Sequence, residues 1–262
     1  MSNRLKFSAN LSLLFTELPL IERIKAAKEQ GFTAVEIQFP YEIDAQQLKN
    51  ELDKQQIKLV LFNVDADDLL QGGEGLAATP EKQAQFERAL IKAADYAKIL
   101  KPEAINILAG CCFDKRKLAL YHATFRANLQ SAINTFSPLG IKTVFEAINT
   151  YDLPNFIVHN SAEMLAIMQA INHPDLLMQY DIYHLVRMHE DPKDFIAKYA
   201  DKVGHIQFAD SPNRNEPGTG DIDFDALFNS IKQSSYSGWV GAEYKPLKSS
   251  AESLNWFKTF KK

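Results

Sequence analysis

Residues 176–181 have the sequence Leu176-Leu-Met-Gln-Tyr-Asp181, a short β-prone segment that ends in a carboxylate. The same arrangement recurs in the segments Thr143-Val-Phe-Glu146, Val203-Gly-His-Ile-Gln207 and Trp239-Val-Gly-Ala-Glu243. Each segment should form a buried strand, and burying its terminal polar group is costly unless a partner compensates it. Four such endings in successive units predict that the strand ends converge on one polar centre.

The side chains that end these segments are three carboxylates and one amide: Glu146, Asp181, Gln207 and Glu243. Oxygen atoms of this kind are the ligands that hard divalent cations prefer in proteins. The sequence therefore indicates an active site that a divalent metal ion assists.

Strand-like and helix-like segments alternate along the whole chain. Predicted strands cover 7–11, 33–38, 58–63, 104–108, 141–146, 176–180, 203–208 and 239–243, and predicted helices cover 17–30, 45–55, 79–100, 118–136, 161–171, 192–200, 223–235 and 250–260. Alternating strands and helices imply a parallel sheet with right-handed crossovers. Eight such units predict closure into a (β/α)8 TIM barrel, and the alternative is an open doubly wound sheet.

The length and composition agree with one barrel. The chain has 262 residues, close to the roughly 250 of a typical (β/α)8 domain. No linker-like change in composition divides it, so we predict a single domain over residues 1–262. In such barrels the active site lies at the C-terminal ends of the strands. The four polar residues fall there, together with the long loops 64–78, 147–160 and 209–222.

Charge and hydropathy argue against two classes of partner. The formal net charge is −4 and no long basic run is present, so nucleic-acid binding has no electrostatic support. No apolar run approaches the ~18 residues of a membrane span. The two cysteines, Cys111 and Cys112, are adjacent and make a poor disulfide pair, which fits a cytoplasmic protein. We predict a small-molecule substrate, and a homo-oligomer is compatible with the sequence.

Glu146 and Glu243 end the fifth and eighth predicted strands. Across a small barrel mouth they could approach a bound ligand from two sides. Two carboxylates that flank a carbon next to a carbonyl can act as general base and general acid. The alternative is that each glutamate belongs to a structural ion pair.

Two histidines lie next to the predicted ligands. His184 follows Asp181 by three residues, so it could bind the metal, donate a hydrogen bond to a substrate oxygen, or be a satisfied buried histidine. His205 and Gln207 are two residues apart and face the same side of a strand. Gln207 is the preferred ligand because it lies nearer the C-terminal end.

A carboxylate substrate would need a cationic partner. Arg214 lies in the turn-rich loop after the seventh strand, and a guanidinium can bind a carboxylate at two points. Arg214 could instead pair with Asp210 or Glu216. Lys245 and Arg187 are further candidates for the same contact.

Taken together, several segments resemble the hydroxypyruvate isomerase family of xylose-isomerase-like TIM barrels, including its 2-oxo-tetronate isomerase branch. The matching segments are Ser8–Ser12, Phe145–Asn149, Gln179–His184, Gly204–Asp210, Glu216–Gly220 and Gly238–Lys245. The resemblance covers nearly the whole chain.

This resemblance implies an aldose–ketose isomerase that acts on a small hydroxy-oxo acid by glutamate-mediated proton transfer through an enediol. Examples are hydroxypyruvate to tartronate semialdehyde and 2-dehydrotetronate to 3-dehydrotetronate. The catalytic residues of the family correspond to Glu146 and Glu243, and its metal positions to Glu146, Asp181, Gln207 and Glu243. We predict His184, Arg214 and Lys245 as substrate-binding residues. The expected cofactor is a divalent cation, with Mg²⁺ first and Mn²⁺ or Zn²⁺ as alternatives.

Two positions depart from the family pattern. Ala147 stands where a proline usually follows the first glutamate, and Gly73-Glu-Gly75 lacks the arginine of the Gly-Glu-Arg-Gly motif. The second departure falls in loop 64–78 and could change the substrate. The other functions that the sequence allows are a sugar epimerase of the same superfamily, a metal-dependent endonuclease and a non-catalytic carbohydrate-binding barrel.

Overall fold

Eight parallel strands close into a barrel in sequential order, with the last strand paired to the first. The structure, a computed structural model, describes residues 4–260. The strands are β1 (Lys6–Asn10), β2 (Ala34–Ile37), β3 (Lys58–Asn63), β4 (Ala104–Asn106), β5 (Lys142–Glu146), β6 (Leu176–Asp181), β7 (Val203–Phe208) and β8 (Trp239–Ala242). The (β/α)8 barrel predicted from the alternation is confirmed, and the open sheet is excluded.

Helices connect the strands. They are α1 (Leu20–Glu29), α2 (Ala45–Gln55), α3 (Gln83–Leu100), α4 (Leu118–Phe136), α5 (Ser161–Ile171), α6 (Ile182–Arg187), α7 (Pro192–Tyr199), α8 (Phe224–Gln233) and α9 (Asn255–Phe260). None of these helices has the length and apolarity needed to cross a membrane.

Three helices begin later than the sequence predicts. α1 starts at Leu20 because Pro19 has the extended ψ of 143°. Short 3-10 turns over Pro80–Lys82 and Glu252–Leu254 precede α3 and α9. Such turns are frequent at helix N-termini, and apolar periodicity does not distinguish them from the α-helix that follows.

Helix α6 is absent from the sequence prediction, which has a loop after β6. Asp181 is its N-cap, and the Asp181 Oδ1 accepts hydrogen bonds from the backbone N–H groups of Tyr183 (2.9 Å) and His184 (3.4 Å). A side-chain oxygen that satisfies free N–H groups at a helix start stabilises the helix. The strand therefore passes directly into the helix, and His184 lies in the first turn beside Asp181.

The main core lies between the barrel and the helices. Phe7 of β1 and Phe208 of β7 point outward and pack edge-on against Phe228 of α8 and Trp256 of α9. Neighbouring residues along a strand face opposite sides, so residues next to these point into the barrel.

A buried pair of a glutamate and a histidine lies inside the barrel. Glu36 is buried between Val35 and Ile37 of β2, and its Oε1 contacts His205 Nε2 (2.8 Å) and accepts a hydrogen bond from Ser8 (2.5 Å). Burial alone would raise the pKa of Glu36, but the charge of His205 and hydrogen bonds outweigh it and lower the pKa. The barrel interior thus holds a carboxylate anion that its partners stabilise.

Gly241 of β8 makes room for this pair. A Cβ at position 241 would overlap the Glu36 carboxylate. We expect Gly241→Ala to lower the free energy of unfolding by about 1–3 kcal/mol, the usual range for forcing extra atoms into a packed interior. Chemical denaturation measures the difference.

Gly73→Ala is the control, because its Cβ would meet Asp68, whose side chain is 45% exposed and can move. Its loss should stay at about 1 kcal/mol or less. Equal losses in the two variants would contradict the idea that the Glu36 pair requires glycine at position 241.

Candidate active site

A cavity of about 180 Å³ lies at the C-terminal ends of the strands. Its polar wall brings together carboxylates, amides, an imidazole and a guanidinium, and its other wall is apolar. The polar residues are Gln38, Asn63, Glu146, Asp152, His184, Arg214 and Glu243, and the apolar residues are Phe39, Leu69, Leu70, Leu108, Ile148 and Leu153. The polar residues come from six of the eight units of the barrel, as convergence of the strand ends predicts.

Glu146 is the last residue of β5 and is buried. Asn106, at the end of β4, donates a hydrogen bond to Glu146 Oε1 at 2.7 Å. Burial, and then the charges of Glu243 and Asp181, raise the pKa of Glu146 well above its ordinary value. This carboxyl group therefore keeps its proton to a higher pH than an ordinary glutamate does, as a general acid requires.

Asp181 ends β6 and is almost completely buried. Burial raises its pKa to about 7, with Arg214 opposing this shift and Glu243 adding to it. Its Oδ1 caps α6, but Oδ2 accepts no hydrogen bond from any described residue. A buried carboxylate oxygen without a donor is suited to an external ligand such as a cation.

Glu243 follows the last residue of β8 and is bound on both oxygens. Its Oε1 accepts hydrogen bonds from Asn10 (2.9 Å) and Gln38 (3.0 Å), and its Oε2 accepts one from the Arg214 guanidinium (2.6 Å). A guanidinium and two amides fix the position of this carboxylate.

Arg214 turns into the cavity and not toward the acidic residues of its own loop. Besides Glu243, its NH2 lies 3.7 Å from Asp181 Oδ2, and its Nε is buried without a hydrogen-bond acceptor among the described residues. Burial by itself would lower the pKa of Arg214, but the three site carboxylates outweigh it and raise the pKa.

The alternative partners of Arg214 have other roles. Asp210 Oδ2 accepts hydrogen bonds from the backbone N–H groups of residues 218, 219 and 220, and Glu216 accepts one from Leu247. Both carboxylates therefore order loops, and neither of these hydrogen-bonding patterns involves Arg214.

His184 is buried beside Asp181, with its Nε2 3.6 Å from Asp181 Oδ2. One possible ligand atom from each of Glu146, Asp181 and His184 lies within 4.8 Å of the others. Burial, and then the charge of Arg214, lower the pKa of His184 well below its ordinary value. The ring is therefore neutral and offers one donor and one acceptor.

Gln207 and His205 both point into the barrel, at different depths. His205 binds Glu36, whereas the Gln207 amide nitrogen donates to Glu36 Oε2 (2.8 Å) and lies 3.4 Å from Glu243 Oε1. The Gln207 amide oxygen accepts a hydrogen bond from Gln179 at 2.7 Å. The amide nitrogen of Gln207, and not its oxygen, therefore faces Glu243.

Two predicted cations lie away from the cavity lining. Lys245 is exposed and contributes only backbone hydrogen bonds, from its N–H to Arg214 and from Asn215 to its carbonyl. The Arg187 guanidinium stacks on the Tyr151 ring at 4.6 Å. Within residues 4–260, Arg214 is thus the cation that lines the cavity.

Sequence reasoning missed the amide residues of the first half. Asn10, Asn63 and Asn106 end β1, β3 and β4, and Gln38 directly follows β2. The signal that found the later four residues, a polar side chain at a strand end, is present at these positions as well. Glu36 carries a second signal, since it alternates with two apolar residues in β2.

Comparison with known proteins identifies the family of the chain. A family model described as xylose isomerase-like TIM barrel matches residues 24–260. The chain is 37% identical to a hydroxypyruvate isomerase of Escherichia coli, over 98% of this chain and all of that protein. It is 32% identical to a 2-oxo-tetronate isomerase of Haemophilus influenzae, over 98% of this chain and 99% of that protein.

Solved structures show the same architecture. A structure named AP endonuclease, family 2, from Brucella melitensis has a TM-score of 0.93 and 32% identity, over 99% of this chain and all of the other. A 3-keto-D-glucoside 4-epimerase from Escherichia coli has a TM-score of 0.83 at 17% identity, over 98% of this chain and all of the other, and shares the fold.

The chain therefore belongs to the xylose isomerase-like TIM-barrel family. Its full-length relatives confirm the enzyme class predicted from the sequence, an isomerase similar to hydroxypyruvate isomerase.

Proposed function

We propose that the protein isomerises a small hydroxy-oxo acid, such as hydroxypyruvate or 2-dehydrotetronate, by proton transfer between Glu146, Glu243 and the substrate. The observation that carries this proposal is that both carboxylates are buried and line one small cavity. One glutamate removes the proton from the carbon that bears the hydroxyl, and the other returns a proton to the neighbouring carbon. The enediol forms between these steps, and the hydroxyl proton moves to the former carbonyl oxygen, so that the carbon that bore the hydroxyl becomes the new carbonyl.

The charge of the site supports a divalent cofactor. Glu146, Asp181 and Glu243 are three buried acids, and Arg214 is one cation, so the ionised site carries a net charge of −2 before any metal binds. Either protons or a divalent cation must balance this charge, since buried unbalanced charge is strongly disfavoured. The Asp181 oxygen that accepts no hydrogen bond fits a cation as well.

Glu146, Asp181, Gln207 and Glu243 would hold this cation, with Mg²⁺ as first choice and Mn²⁺ or Zn²⁺ as alternatives. To bind a cation, Gln207 would have to turn its amide oxygen from Gln179 toward the carboxylates of the site. That oxygen and the carboxylates would repel one another, and a cation between them would offset the repulsion. When bound, the ion would supply Lewis-acid stabilisation of the charge that develops on the substrate oxygens.

Metal binding should depend on pH. Asp181, with a pKa of about 7, must lose its proton before it can bind a cation. Because the protonated fraction falls as the pH rises, we expect Mg²⁺ or Mn²⁺ to bind about tenfold more tightly at pH 8 than at pH 6 from this one proton. Isothermal titration calorimetry in buffers of different ionisation enthalpy measures both the affinity and the proton release.

Asp181→Asn should weaken the binding and remove the part of its pH dependence that comes from the Asp181 proton. Binding without proton release at pH 6 would contradict the assignment of Asp181 as a ligand.

The proton-transfer step has a direct test. Wild-type protein incubated in D₂O with hydroxypyruvate, or with 2-dehydrotetronate, should form the isomer and incorporate solvent deuterium at carbon. Glu146→Gln and Glu243→Gln keep the side-chain size but remove the base, so turnover should fall by about 10²–10⁴-fold in each. Product identity by NMR also distinguishes the two substrates.

Circular dichroism of the Gln variants should match the wild type, which separates loss of chemistry from loss of fold. Near-normal turnover in either variant would overturn the role of that glutamate.

Arg214 is our candidate for the contact with the substrate carboxylate. Its guanidinium lines the cavity, and its Nε is a buried donor without a partner among residues 4–260. A carboxylate in a closed pocket needs such a partner. Lys245, the second candidate from the sequence, is exposed and does not line this cavity.

Arg214→Ala should therefore raise KM for the acid by at least about tenfold, the equivalent of 1.4 kcal/mol for a lost charged hydrogen bond. Steady-state kinetics should show a smaller effect with the neutral analogue glycolaldehyde. Lys245→Ala is the matched control and should keep a near-normal KM. Equal losses for the acid and the neutral analogue in Arg214→Ala would mean that Arg214 acts through Glu243.

The name of the Brucella melitensis structure raises an endonuclease as the rival function. A DNA substrate needs a basic surface around the site, whereas this chain has a net charge of −4 and its cavity is lined by one guanidinium within the described residues. A small acid fits this charge balance better.

We infer a cytoplasmic location, as the cysteine content predicts. Cys111 and Cys112 are both free and buried, which is typical of proteins in a reducing compartment. A homo-oligomer stays a prediction of the sequence.

A further inference from the structure

Asn149 lies in the loop after β5 and is completely buried. Its side-chain oxygen accepts hydrogen bonds from the backbone N–H groups of Tyr151 (3.0 Å) and Asp152 (2.9 Å). These two donors determine which way the amide faces, because the reversed amide would direct its NH₂ group at two N–H groups. The amide nitrogen of Asn149 must therefore face the other side.

On that side lies the imidazole of His184. The Asn149 amide nitrogen is 2.7 Å from His184 Nδ1 and 3.0 Å from Asp152 Oδ2, so each of its two hydrogens has an acceptor. The backbone N–H of Asn149 also points at His184 Nδ1, at 3.4 Å. Two donors thus converge on one ring nitrogen.

This arrangement determines where the ring carries its proton. Nδ1 must offer a lone pair, since a proton there would face two N–H groups in a buried site, where an unmade hydrogen bond costs about 1–3 kcal/mol. A neutral imidazole has one N–H and one acceptor nitrogen. The proton of His184 is therefore on Nε2, the nitrogen that faces Asp181.

We propose that Asn149 is a positioning residue that holds His184 in the Nε2–H tautomer, so that His184 presents a hydrogen-bond donor, and not a metal ligand, to the active-site cavity. The inference rests on the proposed function for what this donor does. Of the three roles that the sequence leaves open for His184, it favours the hydrogen-bond donor to a substrate oxygen.

The consequence for the metal site is specific. His184 lies close enough to Glu146 and Asp181 to complete a three-residue cluster, but a protonated Nε2 has no lone pair for a cation. To bind one, the ring would have to move its proton to Nδ1, against both Asn149 donors. Glu146, Asp181, Gln207 and Glu243 are thus left as the ligands, and His184 is available to the substrate.

The Nε2–H group of His184 is also available to a substrate. His184 Nε2 is 3.6 Å from Asp181 Oδ2, too far for a hydrogen bond. The N–H can therefore serve a carbonyl or hydroxyl oxygen of the hydroxy-oxo acid, where negative charge develops during proton transfer. A donor already oriented toward such an oxygen stabilises the transition state without reorganisation.

The test is the tautomer itself. Long-range ¹H–¹⁵N correlation spectra of the full-length, metal-free protein with ¹⁵N-labelled histidine distinguish Nε2–H from Nδ1–H, and loss of one pattern in His184→Phe assigns the signals. At pH 8 we expect the Nε2–H pattern for His184. It should persist when Mg²⁺ is added.

Asn149→Asp replaces the side-chain donor at Nδ1 by an oxygen acceptor and leaves only the longer backbone contact at 3.4 Å, so it should convert His184 to the Nδ1–H form. Turnover should fall by about 10- to 100-fold, as for the loss of a partner that orients a functional histidine. Asp152→Asn is the matched control: it removes a neighbouring charge but leaves the Asn149 amide on Nδ1, so the Nε2–H pattern should remain.

An Nδ1–H pattern in the wild type, with or without Mg²⁺, would overturn the proposal even if the Asn149 variant failed to fold. An unchanged pattern in a folded Asn149→Asp variant would overturn the role of Asn149. Failure of the proposed function has a different signature. The wild type would then show the Nε2–H pattern but isomerise neither hydroxypyruvate nor 2-dehydrotetronate, which leaves the tautomer assignment supported.

Discussion

Three carboxylates and one guanidinium share the mouth of the barrel, and the rest of the site follows from the need to balance their charge. Arg214 binds Glu243 directly at 2.6 Å and lies 3.7 Å from Asp181. Charges removed from water must be paired or they protonate. Burial, and then the negative charge that Arg214 leaves unbalanced, raises the pKa values of Glu146 and Asp181. We propose that these two effects together suit the site to a cation and to proton transfer.

The surroundings of these charges are built from neutral donors. Asn10, Gln38 and Asn106 direct amide N–H groups at the two carboxylates that we propose as catalytic, and Gln207 connects the site to the buried Glu36 pair. Amides orient a carboxylate without adding a charge that would itself need balancing. Asn149 likewise orients His184 without adding a charge. An aspartate at this position would accept a hydrogen bond from Nδ1, and the ring proton would then move from Nε2 to Nδ1.

Much of the fold and part of the site could be predicted from the sequence. Alternation gave the barrel, and polar residues at strand ends identified Glu146, Asp181 and Glu243. The prediction missed α6 because its start depends on one cap, Asp181, whose role as a ligand candidate concealed its role in the helix. It missed Asn10 and Asn106 because a single amide is an ordinary strand ending until the barrel closes and brings it against a carboxylate.

The sequence by itself determined the order of strands and helices, because the spacing of apolar residues within each segment is a local property. It also determined which end of the barrel carries the polar site, because the direction of the chain fixes where each parallel strand ends. Only the tertiary structure decided which groups meet. Arg214 could have paired with Asp210, four residues away, but the loop gives Asp210 to backbone N–H groups and turns Arg214 toward Glu243. The tautomer of His184 likewise depends on a residue 35 positions away. Such contacts are long-range, and closure of the barrel brings them about.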